Sequence, residues 1–527
     1  MTLGLFDIVG PVMHGPSSNH TGGANRIGYL AREIMGGTPD KIQLGFHRVY
    51  MGSYAGQHTH SAMIAGLLGH REYDDASVDA MKELAAKGIS WEAYAIAEED
   101  VSRNTFRTRA EIKGEAWEIN GDSIGGGNII IDRINGLKIE LNGNQHLIII
   151  STKDKGFFAE AISAVSSLAG KNLKQEAAGQ NLGDKWLYIG AFAEAPPALA
   201  DLPEALQKAE AAGQICYRKV KPLFTFASAN DSPLFTTFAE MLELCEKQPI
   251  LDVVLDYESR RSQVSRQAVL DEALFMVQEW EKALDRGENQ PINLIGGLTD
   301  ADDGKKMTAY AKSGNVVVNE MFATALARAV ILAQLNAAGS KVVAAPTGGS
   351  AGTLPGALFS AAERYGKDRR ELAKAFLIAA SIGLIIGNKA SFSGTIGGCQ
   401  SEVGIGAAMG AGAIIWMAGG TPQQIIQGAT IALKNVLGLT CDPPAGCTEV
   451  PCIKRNAMGV AVAFMGADMG LAGIVSAIAP DDVVDALAET QKLMPNELKF
   501  SHCGGLATTK SGLALNAHWQ ERLKTLE

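Results

Sequence analysis

Four of the seven cysteines in the chain fall between Gly394 and Cys452. Cys399 lies in the stretch SGTIGGCQSE that begins at Ser393, and Cys441, Cys447 and Cys452 lie in TCDPPAGCTEVPC, which begins at Thr440. Each sits in or beside backbone dense in Gly and Pro, which can bend around a metal and turn N–H groups toward sulfur. Three chemistries are open: small thiols packed in an Ala/Gly-rich core, a zinc site, or an iron-sulfur cluster held by three thiolates with one iron left free. Zinc is disfavoured, because there is no C-x₂-C pair and no histidine between residues 147 and 501. The three-thiolate cluster fits the pattern better.

Polar groups concentrate near the other end of the chain, where six of the nine histidines lie between His14 and His70. The run GPSSNHT starting at Gly15 leads into a helix-like stretch ending near Met35, so its hydroxyls and N–H groups can converge at a helix N-terminus, a setting that favours carboxylate or phosphate. Ser17, Ser18 and Thr21 are the candidates for holding such a group, with His20 in the same turn; an ordinary N-cap uses the same residue types. A general base needs a pKa near the working pH, and the loop Gly56-Gln57-His58-Thr59-His60 offers His58 and His60. The glycine triplet after Asp122 does not have the spacing of a phosphate-binding loop, so no nucleotide is expected. Cys216 and Cys245 read as structural.

Elements able to position these groups must come from a chain of 527 residues, 46% hydrophobic and 20% charged, which at roughly 150 residues per domain implies about three domains. The net charge of −10 is spread along the chain, which argues against nucleic acid or an anionic membrane as the main partner. Sparse cysteines and a first twenty residues lacking a signal-peptide pattern lead to the expectation of a cytoplasmic protein with reduced thiols. The apolar stretches Phe376–Gly387 and Ala407–Gly419 fall short of the ~18 residues that span a bilayer and suit buried helices instead.

The fold class expected is multidomain. Residues 1–142 read as an α+β domain with a helix over Arg26–Met35 and strands over Ala110–Asn120 and Asn128–Leu141. Residues 143–225 follow the order β-α-β-β-α-β of a ferredoxin-like module, with strands over His146–Thr152, Gln175–Gln180, Trp186–Phe192 and Ile215–Val220. Residues 226–527 read as a large all-α domain, with helices over Leu234–Lys247, Ala268–Asp285, Val318–Ala338, Arg370–Ile386, Gln424–Val436 and Asp481–Lys492.

Cys399, Cys441 and Cys452, spaced by 42 and 11 residues, resemble the cluster ligands of the iron-sulfur L-serine dehydratases. So do the words GCQSEVG from Gly398, GLTCDP from Gly438, EVPCIKRN from Glu449, APTGGSAG from Ala345 and GPSSNHT from Gly15, which together span nearly the whole chain. The middle module resembles an ACT domain, with Lys153-Asp154-Lys155-Gly156 at that family's ligand-contacting turn. The resemblance implies a 4Fe-4S cluster on Cys399, Cys441 and Cys452, substrate contacts from Ser17, Ser18, His20 and Thr21, and a base at His58 or His60; Gln57 takes the register where the family carries its histidine. It implies β-elimination of L-serine to pyruvate and ammonia in amino-acid catabolism feeding gluconeogenesis, a fused single-chain arrangement, a homodimer, and Cys503 as a resting-state ligand of the open iron. L-Threonine or L-cysteine could be the substrate instead. Competing expectations are a pyridoxal-phosphate enzyme built on Lys389, which would leave the spaced cysteines unexplained, and a non-catalytic amino-acid or redox sensor.

Overall fold

A computed structural model describes residues 3–98, 101–180, 183–224, 226 and 232–526. The first helix, α1 (Leu5–Ile8), and strand β1 (Val12–His14) precede the rest of the N-terminal half, which comprises α2 (Ala24–Met35), β2 (Lys41–His47), α3 (Thr59–Leu68), α4 (Ala80–Ala86), β3 (Ser90–Ile96), β4 (Thr105–Ile112), β5 (Glu115–Gly125), β6 (Asn128–Ile134) and β7 (Leu137–Leu141). Strands β2 to β7 form one sheet of order β3-β2-β4-β5-β6-β7, antiparallel except for the β2–β3 pair. Two single strands expected from the alternation are hairpins. The chain turns at Lys113-Gly114 and again at Asn135-Gly136, all four with positive φ, as a two-residue hairpin turn requires.

Helices α2 and α3 cross with backbones in contact. A Cβ on Gly28 would meet Met63 O at 2.3 Å, and one on Gly66 would meet Asn25 O at 2.2 Å. Their apolar faces, including Ile27, Leu30, Ile34, Met63 and Leu67, join Phe46, Phe106 and Ile131 of the sheet in one core.

The middle segment folds as β8 (His146–Thr152), α5 (Lys155–Ala169), β9 (Leu173–Gln180), β10 (Trp186–Phe192), α6 (Glu204–Ala211) and β11 (Ile215–Val220). Its strands form an antiparallel sheet of order β11-β8-β10-β9, with helix residues Phe158, Val165 and Leu206 packed against Ile148, Ile150 and Tyr188.

From residue 238 onward the chain is helical: α7 (Phe238–Cys245), α8 (Ile250–Ser262), α9 (Arg266–Asn289), α10 (Asp303–Lys312), α11 (Glu320–Ala337), then the short strand β12 (Lys341–Val343), α12 (Thr353–Arg364), α13 (Arg369–Gly387), the single turn α14 (Gly394–Gly397), α15 (Ile405–Met417), α16 (Pro422–Lys434), α17 (Cys452–Leu471), α18 (Pro480–Leu493) and α19 (Lys510–Leu526). Helix α15 is buried along nearly its whole length. Glycines let its neighbours close in: a Cβ on Gly466 of α17 would meet Gly428 O of α16 at 2.7 Å. Among the described residues no helix is long and apolar enough to cross a membrane.

The N-terminal segment does not stay with its own half. Leu5, Ile8 and Val9 are fully buried in the helical core with Trp280 and Phe376, and Leu5 N–H donates to Glu258 Oε2 at 2.8 Å. Strand β1 then pairs antiparallel with β12, Val12 opposite Val343. The segment thus departs from the sequence-based unit 1–142, because three-residue strands pairing across 330 positions leave no local periodic signal.

Candidate functional site

Three chain segments deliver the clustered cysteines to one point. Cys399 precedes the turn Gln400–Gly404 that opens α15, behind Gly398 at φ +75°, where a Cβ would meet Leu439 O at 2.8 Å. Gln400 N–H donates to that same Leu439 carbonyl at 3.1 Å, and Gly438 N–H donates to Gln400 Oε1 at 2.9 Å, so the Cys399 and Cys441 loops are tied together. Cys441 is fixed by backbone bonds to Leu498 and Ser501. Cys452 is the first residue of α17, whose Asn456 accepts the N–H groups of Gly352 and Thr353 and donates to Gly349 O at 2.8 Å.

Cys399, Cys441 and Cys452 line one narrow pocket together with Ser17, Glu402, Thr448 and Phe500. All three thiols are buried, and none of the seven cysteines forms a disulfide. The sulfurs of Cys399 and Cys441 and a carboxylate oxygen of Glu402 lie within 4.8 Å of one another.

The electrostatics of this pocket suit a multivalent cation. A hydrogen bond with Cys399, together with burial, pushes the Cys441 thiol well above its ordinary range, and burial does the same to Cys452. Burial raises the Glu402 carboxyl to about 7, against the opposing effect of the Thr347 hydroxyl, which donates to it at 2.7 Å. Arg455 meets the group from one side: one guanidinium N lies 3.4 Å from Cys399 Sγ and 2.6 Å from Thr440 O, the other 2.9 Å from Asp442 Oδ1. Three soft sulfur donors converging in one buried pocket are a donor set that suits a thiolate-bound metal centre.

The N-terminal half closes the pocket with the turn after Gly15. Ser17 lines it, its Oγ accepting from His20 N–H at 3.1 Å and its N–H donating to Thr21 Oγ1 at 3.2 Å. Ser18 is buried in the turn, its backbone N 3.0 Å from where a Cβ on Gly348 would sit. His20 points inward: its Nε2 pairs with Asn104 Oδ1 at 3.1 Å, its ring lies 4.2 Å from Tyr50, and burial lowers its pKa to about 4. Thr21 donates to Gln57 O at 2.9 Å.

The structure thus brings Ser17 and the three cysteines together, makes Ser18, His20 and Thr21 the wall behind them, and does not bring His58 or His60 into the pocket. Gln57 reaches the wall of the pocket and not its interior, donating to Gly446 O and to Oγ1 of Thr448, which lines the pocket. His58 lines a separate cavity of about 100 Å³ with His14, Asn25, Ser61 and Gly339, where burial lowers its pKa. His60 stacks on Trp91 at 5.2 Å, and burial lowers its pKa to about 4. Cys503 is exposed and outside the pocket, which Phe500 enters instead.

Sequence reasoning assigned no role to Glu402 or Arg455. The available signal was a charged residue three positions after Cys399 and another three after Cys452, the second beside Lys454.

A family model described as serine dehydratase alpha chain matches residues 245–507. A probable L-serine dehydratase alpha chain of Bacillus subtilis (strain 168) is 39% identical over 284 residues, covering 54% of this chain and 94% of that protein. The L-serine dehydratase alpha chain of Peptoniphilus asaccharolyticus is 38% identical over 285 residues, 53% of this chain and 96% of that one. An L-serine dehydratase of Streptomyces coelicolor is 33% identical over 281 residues, 52% of this chain and 60% of that one.

Proposed function

The chain belongs to the serine dehydratase alpha-chain family, and from that premise we propose that it is an ammonia-lyase converting L-serine to pyruvate and ammonia. The observation that carries the reading is the convergence of Cys399, Cys441 and Cys452 on one pocket shared with Ser17. In this proposal the three thiolates hold a 4Fe-4S cluster. When bound, such a cluster supplies a Lewis-acidic iron that eases departure of the β-hydroxyl.

The protein's own groups do the rest. Ser17 lines the pocket from the turn that leads into α2, and its hydroxyl holds the amino-acid carboxylate. Thr448 and Phe500 narrow the pocket and exclude water, with Gln57 bracing Thr448 from behind. The base proposed is His58, whose pKa burial lowers; because the turn from Gly15 to Thr21 stands between its cavity and the thiol pocket, this role requires that turn to move when the substrate binds. His60, held against Trp91, supports that loop.

The same proposal includes a fused arrangement in which residues 1–142 complete the substrate pocket, residues 143–225 form an ACT-like module and residues 226–527 carry the cluster. The strand order β11-β8-β10-β9 supports the middle assignment. A cytoplasmic homodimer acting in amino-acid catabolism belongs to it as well. The test is anaerobic reconstitution with ferrous iron and sulfide, followed by pyruvate measurement with L-serine, L-threonine and L-cysteine. Turnover of L-serine above the other two supports the proposal; iron-loaded protein inert toward all three rejects it.

A further inference from the structure

We infer that Arg455 is a positioning residue for the metal centre, donating an N–H···S hydrogen bond to Cys399 and setting the charge around the bound cluster. The inference rests on the reading that the three thiols hold a cluster. Arg455 lies one helical turn after Cys452, so it projects from α17 on the side of that thiol. Its planar fork then reaches the other two ligand segments at once, touching Cys399 Sγ at 3.4 Å and, around Cys441, both Thr440 O at 2.6 Å and Asp442 Oδ1 at 2.9 Å. One side chain therefore gauges the spacing of all three ligands.

The guanidinium is well shielded, with 15% of its side chain exposed against 5% for Asp442, and a shielded cation requires a partner. Asp442 provides one and is itself held, its second oxygen accepting Leu506 N–H at 2.8 Å. Lysine could supply the charge but not the fork, because an ammonium has no planar set of donors to serve a sulfur, a carbonyl and a carboxylate together. Hydrogen bonds to cluster sulfurs and the net charge nearby both shift reduction potential, and outer partners of this kind also hold the ligands in place.

The test compares wild type, R455Q, R455K and D442N after anaerobic reconstitution, reading iron content, reduction potential and the rate of iron loss to a chelator. R455Q at equal iron content is expected to have a lower potential and to lose iron roughly 10-fold faster or more. R455K is expected to retain potential better than R455Q while losing iron faster than wild type. D442N, which removes the negative neighbour, is expected to shift the potential upward. If R455Q takes up no iron, R455K and D442N still carry the opposed expectations. Potentials and iron-loss rates equal to wild type in iron-loaded variants would overturn the role of Arg455, whereas wild type that binds no iron would overturn the cluster reading itself.

Discussion

Single residues carry the most direct consequences. Replacing Cys399, Cys441 or Cys452 by alanine is expected to abolish iron retention and pyruvate formation with little change in far-ultraviolet circular dichroism; retention of iron in any one of them would remove that thiol from the ligand set. His58→Asn is expected to lower kcat roughly 10²-fold or more at unchanged iron content, and an unchanged kcat would assign the base elsewhere. His20 makes a pH prediction of definite sign. Its pKa of about 4 in the folded protein lies below the ordinary 6.5, so on acidification the unfolded chain takes up the proton first. Its contribution is whole above pH 6.5 and is lost toward pH 4, by roughly 3 kcal/mol. Thermal midpoints of the iron-free protein should fall over that range, and His20→Gln should flatten the slope. The gathering of cysteines was legible in the sequence because Gly- and Pro-rich words mark them, but Cys447 shares those words, and only the family resemblance singled out Cys399, Cys441 and Cys452. Glu402 and Arg455 were not legible, since their roles come from a meeting of three segments far apart in the chain.

At the level of elements, glycine contacts decide whether the turn bearing Ser17 is held in place. That turn runs into α2, and α2 rests on α3 through Gly28 and Gly66, where there is no room for a side chain. Gly66→Val is expected to cost about 1–3 kcal/mol or more and to raise KM for L-serine, checked by thermal melts and steady-state kinetics of the reconstituted enzyme. Helices α9, α11, α13 and α18 could be read from the sequence to within a few residues at either end. Helix α17 could not be read in that way because the face it buries is made largely of small residues such as Gly459, Ala463 and Gly466 while Met458, Val462 and Phe464 lie off it, so hydrophobicity does not mark the buried side, and the first turns of α12 and α15 are rich in Gly and Ala and buried throughout. The hairpin turns were missed for a different reason. Lys113-Gly114 lacks the usual Asn-Gly wording, and at Asn135-Gly136 the flanking apolar run masked a pair that does carry it.

On the scale of the molecule, the two halves are joined by more than the peptide linking them. Helix α1 is packed inside the helical core, β1 pairs with β12, and Ser17 completes a pocket whose thiols all come from the other half. A chain divided between Val220 and Phe238 and expressed as two pieces is therefore expected to co-purify as a complex and to regain L-serine turnover on reconstitution. Pieces that purify separately would contradict that dependence. The burial of Leu5, Ile8 and Val9 against Trp280 and Phe376 also has a consequence for biosynthesis. Translation yields these apolar residues long before their berth: at roughly 5–20 residues per second they wait on the order of 20–70 s for Phe376. During that interval the nascent chain carries an uncovered greasy segment, a ready target for chaperones, and this part of the fold can close only after Phe376 has emerged.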